Sequence, residues 1–247
     1  MTIQNPWPPQ AAAATSVGRV RHGNEDAFGL RSEQGMFIVC DGMGGAAGGE
    51  IASRLTVDTI LERTVDGTAE GSDRAILHEA IAAANRAVVD RGDRDTGLYG
   101  MGTTLVALLL RRGQSTAIIA HAGDSRCYVF RAGKLSRCTN DHSLVDEQMR
   151  MGTMTREEAE RSPFRSVITR AIGTQKTVSE EMQEFETQKG DVFLLCTDGL
   201  TREVDEEEIA RVLSAGSDLE RIAQRLVDEA NEAGGRDNVT CLLVKVP

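Results

Sequence analysis

The stretch FIVCDGMGGAAGGEIAS, residues 37–53, combines the strand pattern, the acid and the helix pattern from which the fold prediction starts. It begins as an apolar run typical of a buried strand, places Asp41 at the end of that run, and passes through a glycine-rich turn into a helical pattern. Because glycine has no side chain, a ligand and the main chain can approach the carboxylate of Asp41 closely. The stretch therefore predicts a strand, a helix and a candidate site between them.

Apolar or alternating runs elsewhere predict further strands, so that the full set is 15–20, 26–31, 36–41, 102–111, 114–121, 125–131, 133–138, 191–197 and 238–246. Helical periodicity occurs in two consecutive pairs, at 49–63 and 73–91 and at 206–214 and 218–233. Short turns join most of the strands, which favours antiparallel pairing. Nine strands are too many for one flat sheet. We therefore expect an α+β fold, a four-layer αββα sandwich in which two antiparallel sheets pack face to face and antiparallel helix pairs flank them.

The chain has 247 residues and 40% hydrophobic content, enough for one large domain with a full core. Residues 1–14 hold three of the five prolines and show no periodicity, which predicts a flexible leader before a single domain at 15–247. A polar segment at about 140–174, which we call the flap, is predicted to be an insertion between two strands. A capping box of Thr155 with Glu158 predicts a helix inside the flap.

The formal net charge of −10 opposes binding to nucleic acid and to anionic membrane surfaces, so we expect neither as a partner. No apolar run reaches the ~18 residues that a membrane helix needs, and the first residues lack the order of a signal peptide. The five cysteines are odd in number and have no CxxC spacing, which excludes a disulfide framework and a zinc knuckle. We therefore expect a cytoplasmic protein with reduced cysteines, and a monomer.

Acidic residues lie next to four of the apolar runs. Asp41 ends MFIVCD, Asp198 ends DVFLLCTD, Asp237 precedes the last strand, and Asp124 follows STAIIAHAG. Because a sheet fixes the side chains at its strand ends, such acids can converge on one point, where they would repel one another without a cation. Oxygen ligands without a histidine or cysteine cluster favour Mg²⁺ or Mn²⁺ over Zn²⁺. The bare backbone would let the carbonyl of Gly42 reach the same ion.

Eight blocks, in this order and spacing, carry a resemblance to a known family: SVGRVRHGNEDAF, FIVCDGMGG, GMGTTLVALLL, AHAGDSRCYVF, DHSLV, RAIG, CTDGL and GGRDNVT. Together they closely resemble the catalytic domain of the protein phosphatase 2C family, the metal-dependent Ser/Thr phosphatases, in its bacterial form. The resemblance covers essentially all of 15–246. It implies hydrolysis of phosphoserine and phosphothreonine in proteins by a water that bridges two Mg²⁺ or Mn²⁺ ions, and a partner Ser/Thr kinase whose phosphorylated targets the enzyme resets.

The resemblance also implies metal ligands. Asp41 is similar to the acid that bridges the two ions, with the Gly42 carbonyl on the first ion and with Asp198 and Asp237 on the second. Asp41 and Asp198 therefore belong to the implied catalytic set.

Further roles follow from the same resemblance. Glu25 and Asp26 resemble outer acids that hold metal-bound waters, and Arg21 resembles the arginine that binds the substrate phosphate, which completes the catalytic set. Asp124 matches the main ligand of a third, weaker ion in bacterial members. Arg202 departs from the pattern, because relatives often have an acid four residues after the aspartate that Asp198 matches.

A second departure concerns the acid that protonates the leaving oxygen. Some eukaryotic relatives have a histidine directly after the metal-site Asp-Gly pair, where this chain has Met43. A metal-bound water or His142 in the flap would have to provide the proton instead.

Three other interpretations are available. Cys196 and Arg202 fit the Cys-x₅-Arg pattern of cysteine phosphatases, but Asp198 inside that loop would repel a phosphate. The GMGGAA segment fits a loose dinucleotide-binding motif, but a second helix follows it instead of a second strand with a ribose-binding acid. A catalytically silent module that binds phosphoproteins is the third alternative. The converging acids argue against it, because a pure binder gains nothing from them.

Overall fold

The computed structural model describes residues 7–44, 48–65, 71–216 and 218–247. The strands in these ranges are β1 Gln10–Ser16, β2 Asp26–Arg31, β3 Met36–Met43, β4 Gly102–Thr103, β5 Leu105–Leu110, β6 Thr116–Ala122, β7 Arg126–Arg131, β8 Lys134–Arg137, β9 Glu181–Glu186, β10 Val192–Cys196 and β11 Val239–Lys245. The helices are α1 Gly48–Val65, α2 Asp73–Arg94, α3 Leu144–Arg150, α4 Arg156–Arg161, α5 Asp198–Thr201, α6 Glu206–Ser214 and α7 Leu219–Ala233.

The strands form two antiparallel sheets. One sheet has the order β1-β11-β10-β7-β8 and the other has the order β2-β3-β5-β6-β9, while the short β4 pairs with the end of β3. Side chains from both sheets, including Phe37, Val106, Phe193 and Leu242, meet in one buried apolar cluster. The two sheets therefore pack face to face, as the sequence predicts.

Helices cover the outer face of each sheet. Residues of α1 and α2, such as Ile60 and Ile81, pack with β3 and β5, and residues of α6 and α7, such as Ile209 and Leu226, pack with β10 and β11. This arrangement confirms the αββα sandwich. None of the helices within the described ranges combines the length and the apolar composition required to cross a bilayer.

The prediction of a flexible leader over 1–14 is wrong from Gln10 onward. There β1 pairs with β11 along its whole length, from Gln10 opposite Lys245 to Ser16 opposite Val239. The strand predicted at 15–20 therefore begins earlier and ends at Ser16. Four consecutive alanines have a low intrinsic preference for strands, so pairing with the partner strand is what establishes this one. Residues 1–6 lie outside the described part of the chain.

The sequence analysis misses β9, which pairs with β6 at the edge of its sheet. Its sequence, EMQEFE, places long polar side chains on both faces, which hides the alternation expected of a half-buried strand. The flap lies between β8 and β9 and contains α3 and α4. The predicted capping box of Thr155 and Glu158 begins α4.

Candidate active site

Acids from both sheets meet at one edge of the sandwich. Asp41, near the end of β3, lies opposite Asp26 at the start of β2. Asp198 follows β10 and Asp237 precedes β11, and these two strands are antiparallel neighbours. Burial raises the pKa of Asp41 well above its ordinary value, and the nearby charges of Asp26, Asp198, Asp124 and Asp237 raise it further. The fold therefore brings together all the acids that the sequence analysis assigns to strand ends.

The proximity of these acids makes their ionised forms costly. Burial raises the pKa of Asp26 to about 7, although hydrogen bonds from Thr240 and Thr197 oppose the shift. Burial also raises the pKa of Asp198, and the charge of Asp124 adds to that effect. Acids held this close cannot all be ionised at neutral pH without a compensating positive charge.

Several carboxylate oxygens at this edge have no partner. One oxygen, Oδ1, of each of Asp26, Asp124 and Asp198 is buried and receives no hydrogen bond from the described residues. Buried polar atoms are nearly always satisfied, so orphaned atoms at one edge require an explanation. A hard divalent cation can satisfy several oxygens at once. The donor set consists of carboxylates, which fits Mg²⁺ or Mn²⁺.

Three polar side chains that the sequence analysis misses support the acids. Thr104 accepts a hydrogen bond through Oγ1 from the main-chain N–H of Asp41 at 2.9 Å, and Thr197 donates through Oγ1 to Asp26 Oδ2 at 2.9 Å. The amide of Asn238 donates to the carbonyls of Val17 and Gly23. Each supporting residue is adjacent in sequence to an acid or a strand end, but a threonine in a strand carries no distinguishing signal.

Glycines allow Glu25 to approach the end of β3. A side chain on Gly42 would come within 2.1 Å of the Gly49 carbonyl oxygen, and one on Gly49 would come within 2.1 Å of Glu25 Oε2. Burial raises the pKa of Glu25, and the Arg21 charge opposes this shift. The glycine-rich turn therefore makes room for an additional carboxylate near Asp41.

The edge of the sandwich where Asp26, Asp41, Asp124, Asp198 and Asp237 meet is called the acid edge below. Arg21 lies at its rim. Its Nη2 donates to Asp237 Oδ2 at 2.9 Å, and its side chain is 52% exposed. A half-exposed guanidinium beside the acids is available to an incoming anion. The structure thus brings Arg21 to the residues that the sequence analysis groups with it.

A cleft of about 620 Å³ opens next to Asp124 and Asp198 and is bordered by α3 and α4 of the flap. Asp141, within this cleft, accepts hydrogen bonds from Arg126 and Arg137. Arg202 also lines the cleft, and its Nη2 lies 2.5 Å from Asp198 Oδ2.

His142 is fully buried, which separates its ring from solvent in the cleft. Its ring stacks on His121 at 4.5 Å between centroids, and burial lowers its pKa to about 4. Donor atoms of His121, His142 and Glu181 lie within 4.8 Å of one another. The two rings are only 13° from parallel, so no ion can lie in the planes of both. His142 is therefore unsuited to protonate a leaving group in the cleft.

Cys196 is also fully buried, and burial raises the pKa of its thiol. A nucleophilic cysteine must be accessible and readily ionised, and Cys196 is neither. The geometry excludes the cysteine-phosphatase interpretation.

Comparisons with known proteins agree with this geometry. The family model for protein phosphatase 2C matches residues 15–243. The chain belongs to the protein phosphatase 2C family. It is 37% identical to the serine/threonine phosphatase stp of Listeria monocytogenes, over 94% of this chain and 93% of that protein.

Solved structures of this family have the same fold. A crystal structure of the Mycobacterium tuberculosis serine/threonine phosphatase PstP/Ppp superposes with a TM-score of 0.89 at 35% identity, covering 96% of this chain and 98% of that one. A structure of the PstP catalytic domain in complex with two manganese ions has a TM-score of 0.86 at 34% identity, covering 96% and 97% of the two chains. The family resemblance and the enzyme class, a Ser/Thr protein phosphatase, are confirmed.

Proposed function

We propose that this protein hydrolyses phosphoserine and phosphothreonine in other proteins, with two Mg²⁺ or Mn²⁺ ions held at the acid edge. The observation that carries the proposal is the convergence of Asp41 and Asp198 with neighbouring acids, where Asp26 and Asp198 each have a buried Oδ1 that receives no hydrogen bond from the described residues. An uncompensated cluster of this kind destabilises a fold, and bound cations remove that cost. The two manganese ions named for the PstP catalytic domain support the same assignment.

The ligand roles follow from this proposal. Asp41 would hold both ions, the Gly42 carbonyl would hold the first, and Asp198 and Asp237 would hold the second. Glu25 and Asp26 form the outer layer of acids. Asp26 suits this role because its Oδ2 is already held by Thr197, which leaves Oδ1 for a water.

When bound, the two ions lower the pKa of a water towards neutrality and neutralise the phosphoryl oxygens during in-line attack. The guanidinium of Arg21 binds the phosphate through its N–H donors, exchanging its contact with Asp237 for one with the substrate. Since His142 is buried, a water would have to provide the proton for the leaving serine or threonine oxygen.

The test measures phosphate released from a phosphothreonine peptide and from p-nitrophenyl phosphate, with and without Mn²⁺ and then with excess chelator. We expect turnover that requires the metal, is lost in chelator and is insensitive to iodoacetamide. Chelator-resistant turnover would contradict the two-metal assignment. Binding of Mn²⁺ and of the peptide without turnover would instead favour the silent module.

We also propose that the enzyme acts as a cytoplasmic monomer that opposes a Ser/Thr kinase, with the flap of 140–174 bordering its substrate cleft. Five unpaired cysteines fit a reducing compartment. Phosphoproteomics of cells that carry the inactive variant Asp41→Asn in place of the native protein identifies the substrates, and phosphosites that do not change in abundance would contradict the opposition to a kinase.

Light scattering measures the oligomeric state. A dimeric mass would contradict the proposed monomer.

A further inference from the structure

Arg202 bridges two buried acids that belong to different parts of the fold. Its Nη2 lies 2.5 Å from Asp198 Oδ2 and 3.6 Å from Asp124 Oδ2. Asp124 lies between β6 and β7, and Asp198 begins α5. The acid side chains are only 8% and 12% exposed, whereas that of Arg202 is 44% exposed. A cationic group on a flexible, half-exposed stem therefore lies between two nearly buried carboxylates.

The backbone directs Arg202 to this position. Its main-chain N–H donates to the carbonyl of Asp198 at 2.8 Å, which places Arg202 one helical turn after Asp198. Side chains four residues apart on a helix lie on the same face. The contact with Asp198 thus follows from local structure, and the length of the arginine side chain extends it to Asp124.

We propose that Arg202 is a tethered cation that takes the position of a third divalent ion between Asp124 and Asp198, so that this chain binds two ions and not three. The inference rests on the proposed ligand set, in which Asp198 contacts one of the two ions and Asp124 would be the main ligand of a third.

The charge of Arg202 supports its role in place of a third divalent ion. The Arg202 charge acts to lower the pKa of Asp124 and of Asp198, against the larger effect of burial in both cases. A divalent ion and a guanidinium within a few ångströms of each other would repel strongly, so the two exclude each other from this position. Asp198 can still serve one of the two other ions, because its Oδ1 has no partner among the residues that the structure describes.

Two other arginines that line the cleft pair with a different acid. Arg126 and Arg137 both pair with Asp141, which satisfies that acid. Among the ion pairs of the described residues, Asp124 takes part in one, and its partner is Arg202. Arg165 lines the same cleft and is exposed, and it provides a matched control.

The experiment counts bound Mn²⁺ by isothermal titration calorimetry and by electron paramagnetic resonance of free Mn²⁺. It uses the full chain, with folding checked by thermal unfolding. We expect two ions in the native protein, in Arg202→Lys and in Arg165→Ala. The Arg202→Asp variant, in which a carboxylate ligand replaces the guanidinium, should bind a third ion. The Arg202→Ala variant should bind a third ion with lower affinity. Adding Asp124→Asn to Arg202→Asp removes the third ion again.

Three ions in the native protein, or two in both Arg202→Asp and Arg202→Ala, would overturn this inference and leave the proposed function intact. Fewer than two ions in the native protein would overturn the ligand set of the proposed function and this inference with it. Because the readout is the number of bound ions, it does not depend on catalytic activity.

Discussion

The strand β10 has a buried acid beyond each of its ends, and the two acids have opposite environments. Asp191 precedes the strand, and its carboxylate accepts hydrogen bonds from Arg131 at 2.7 and 2.6 Å and from the Gln188 N–H at 2.8 Å. Asp198 follows the strand, and it has an orphaned Oδ1 and a crowd of acidic neighbours. Both are nearly buried, since the whole residues Asp191 and Asp198 are 2% and 8% exposed.

This difference separates a structural acid from a functional one. A buried carboxylate whose two oxygens both accept hydrogen bonds is compensated by the protein itself, whereas one with an unsatisfied oxygen beside other acids needs a bound cation for compensation. Burial alone does not distinguish them. The partners of each oxygen do, and the predictions below test that distinction.

The largest expected effect is on catalysis. In the proposed ligand set, Asp41→Asn removes a charge that would hold both ions, so turnover of a phosphothreonine peptide should fall at least ~1000-fold, equivalent to about 4 kcal/mol of lost transition-state stabilisation. Circular dichroism should show a retained fold. A variant that keeps more than a few per cent of native activity would refute the assignment of Asp41.

Metal binding should stabilise the protein, and more so at higher pH. Burial raises the pKa values of Asp26, Asp41 and Asp198 in the metal-free fold above the ordinary value of about 3.9, to about 7 for Asp26. The folded state then binds more protons than the unfolded state in this range, so metal-free stability falls as pH rises from about 4 to about 7.

Saturating Mn²⁺ removes this penalty. At 100 times the dissociation constant it contributes about 2.7 kcal/mol, or roughly 5–10 °C in Tm. Differential scanning fluorimetry in Mn²⁺ and in chelator should give a difference in Tm that increases between pH 5 and pH 7.5. A constant or decreasing difference would contradict the proposed role of the acids.

Asp191→Asn should have the opposite profile to Asp41→Asn. It breaks the pairing with Arg131 and should lower Tm by about 5 °C, while kcat changes less than about twofold. Thermal unfolding and peptide turnover measured on the same samples make the comparison. Activity loss as large as that of Asp41→Asn, in a folded sample, would show that Asp191 is not a purely structural acid.

The smallest effect is expected at the rim of the site. Arg21→Ala removes the N–H donors that we propose bind the substrate phosphate, and it should raise KM about tenfold, with a smaller change in kcat. Steady-state kinetics with a phosphothreonine peptide checks this. An unchanged KM would argue against a phosphate-binding role for Arg21.

The sequence predicts the convergence of the acids better than it predicts the edges of the fold. Asp41, Asp198 and Asp237 are recognisable because each lies at one end of a strong apolar strand pattern. In contrast, β1 consists largely of alanine and β9 of long polar residues, so neither has a local signal, and their partner strands establish them.

The supporting residues could not be predicted for a related reason. Thr104 and Thr197 act through hydrogen bonds that depend on which strands are neighbours, and a threonine in a strand is ordinary. The position of Arg202 between two acids likewise requires the tertiary contact of α5 with the loop after β6.

The most direct test of the two-metal site is an anomalous difference map from crystals grown with saturating Mn²⁺. We expect two strong peaks at the acid edge, both next to Asp41 and one also next to Asp198 and Asp237, with none at Asp191. Peaks absent from the acid edge at saturation, with the carboxylates unchanged and still unpartnered, would contradict it.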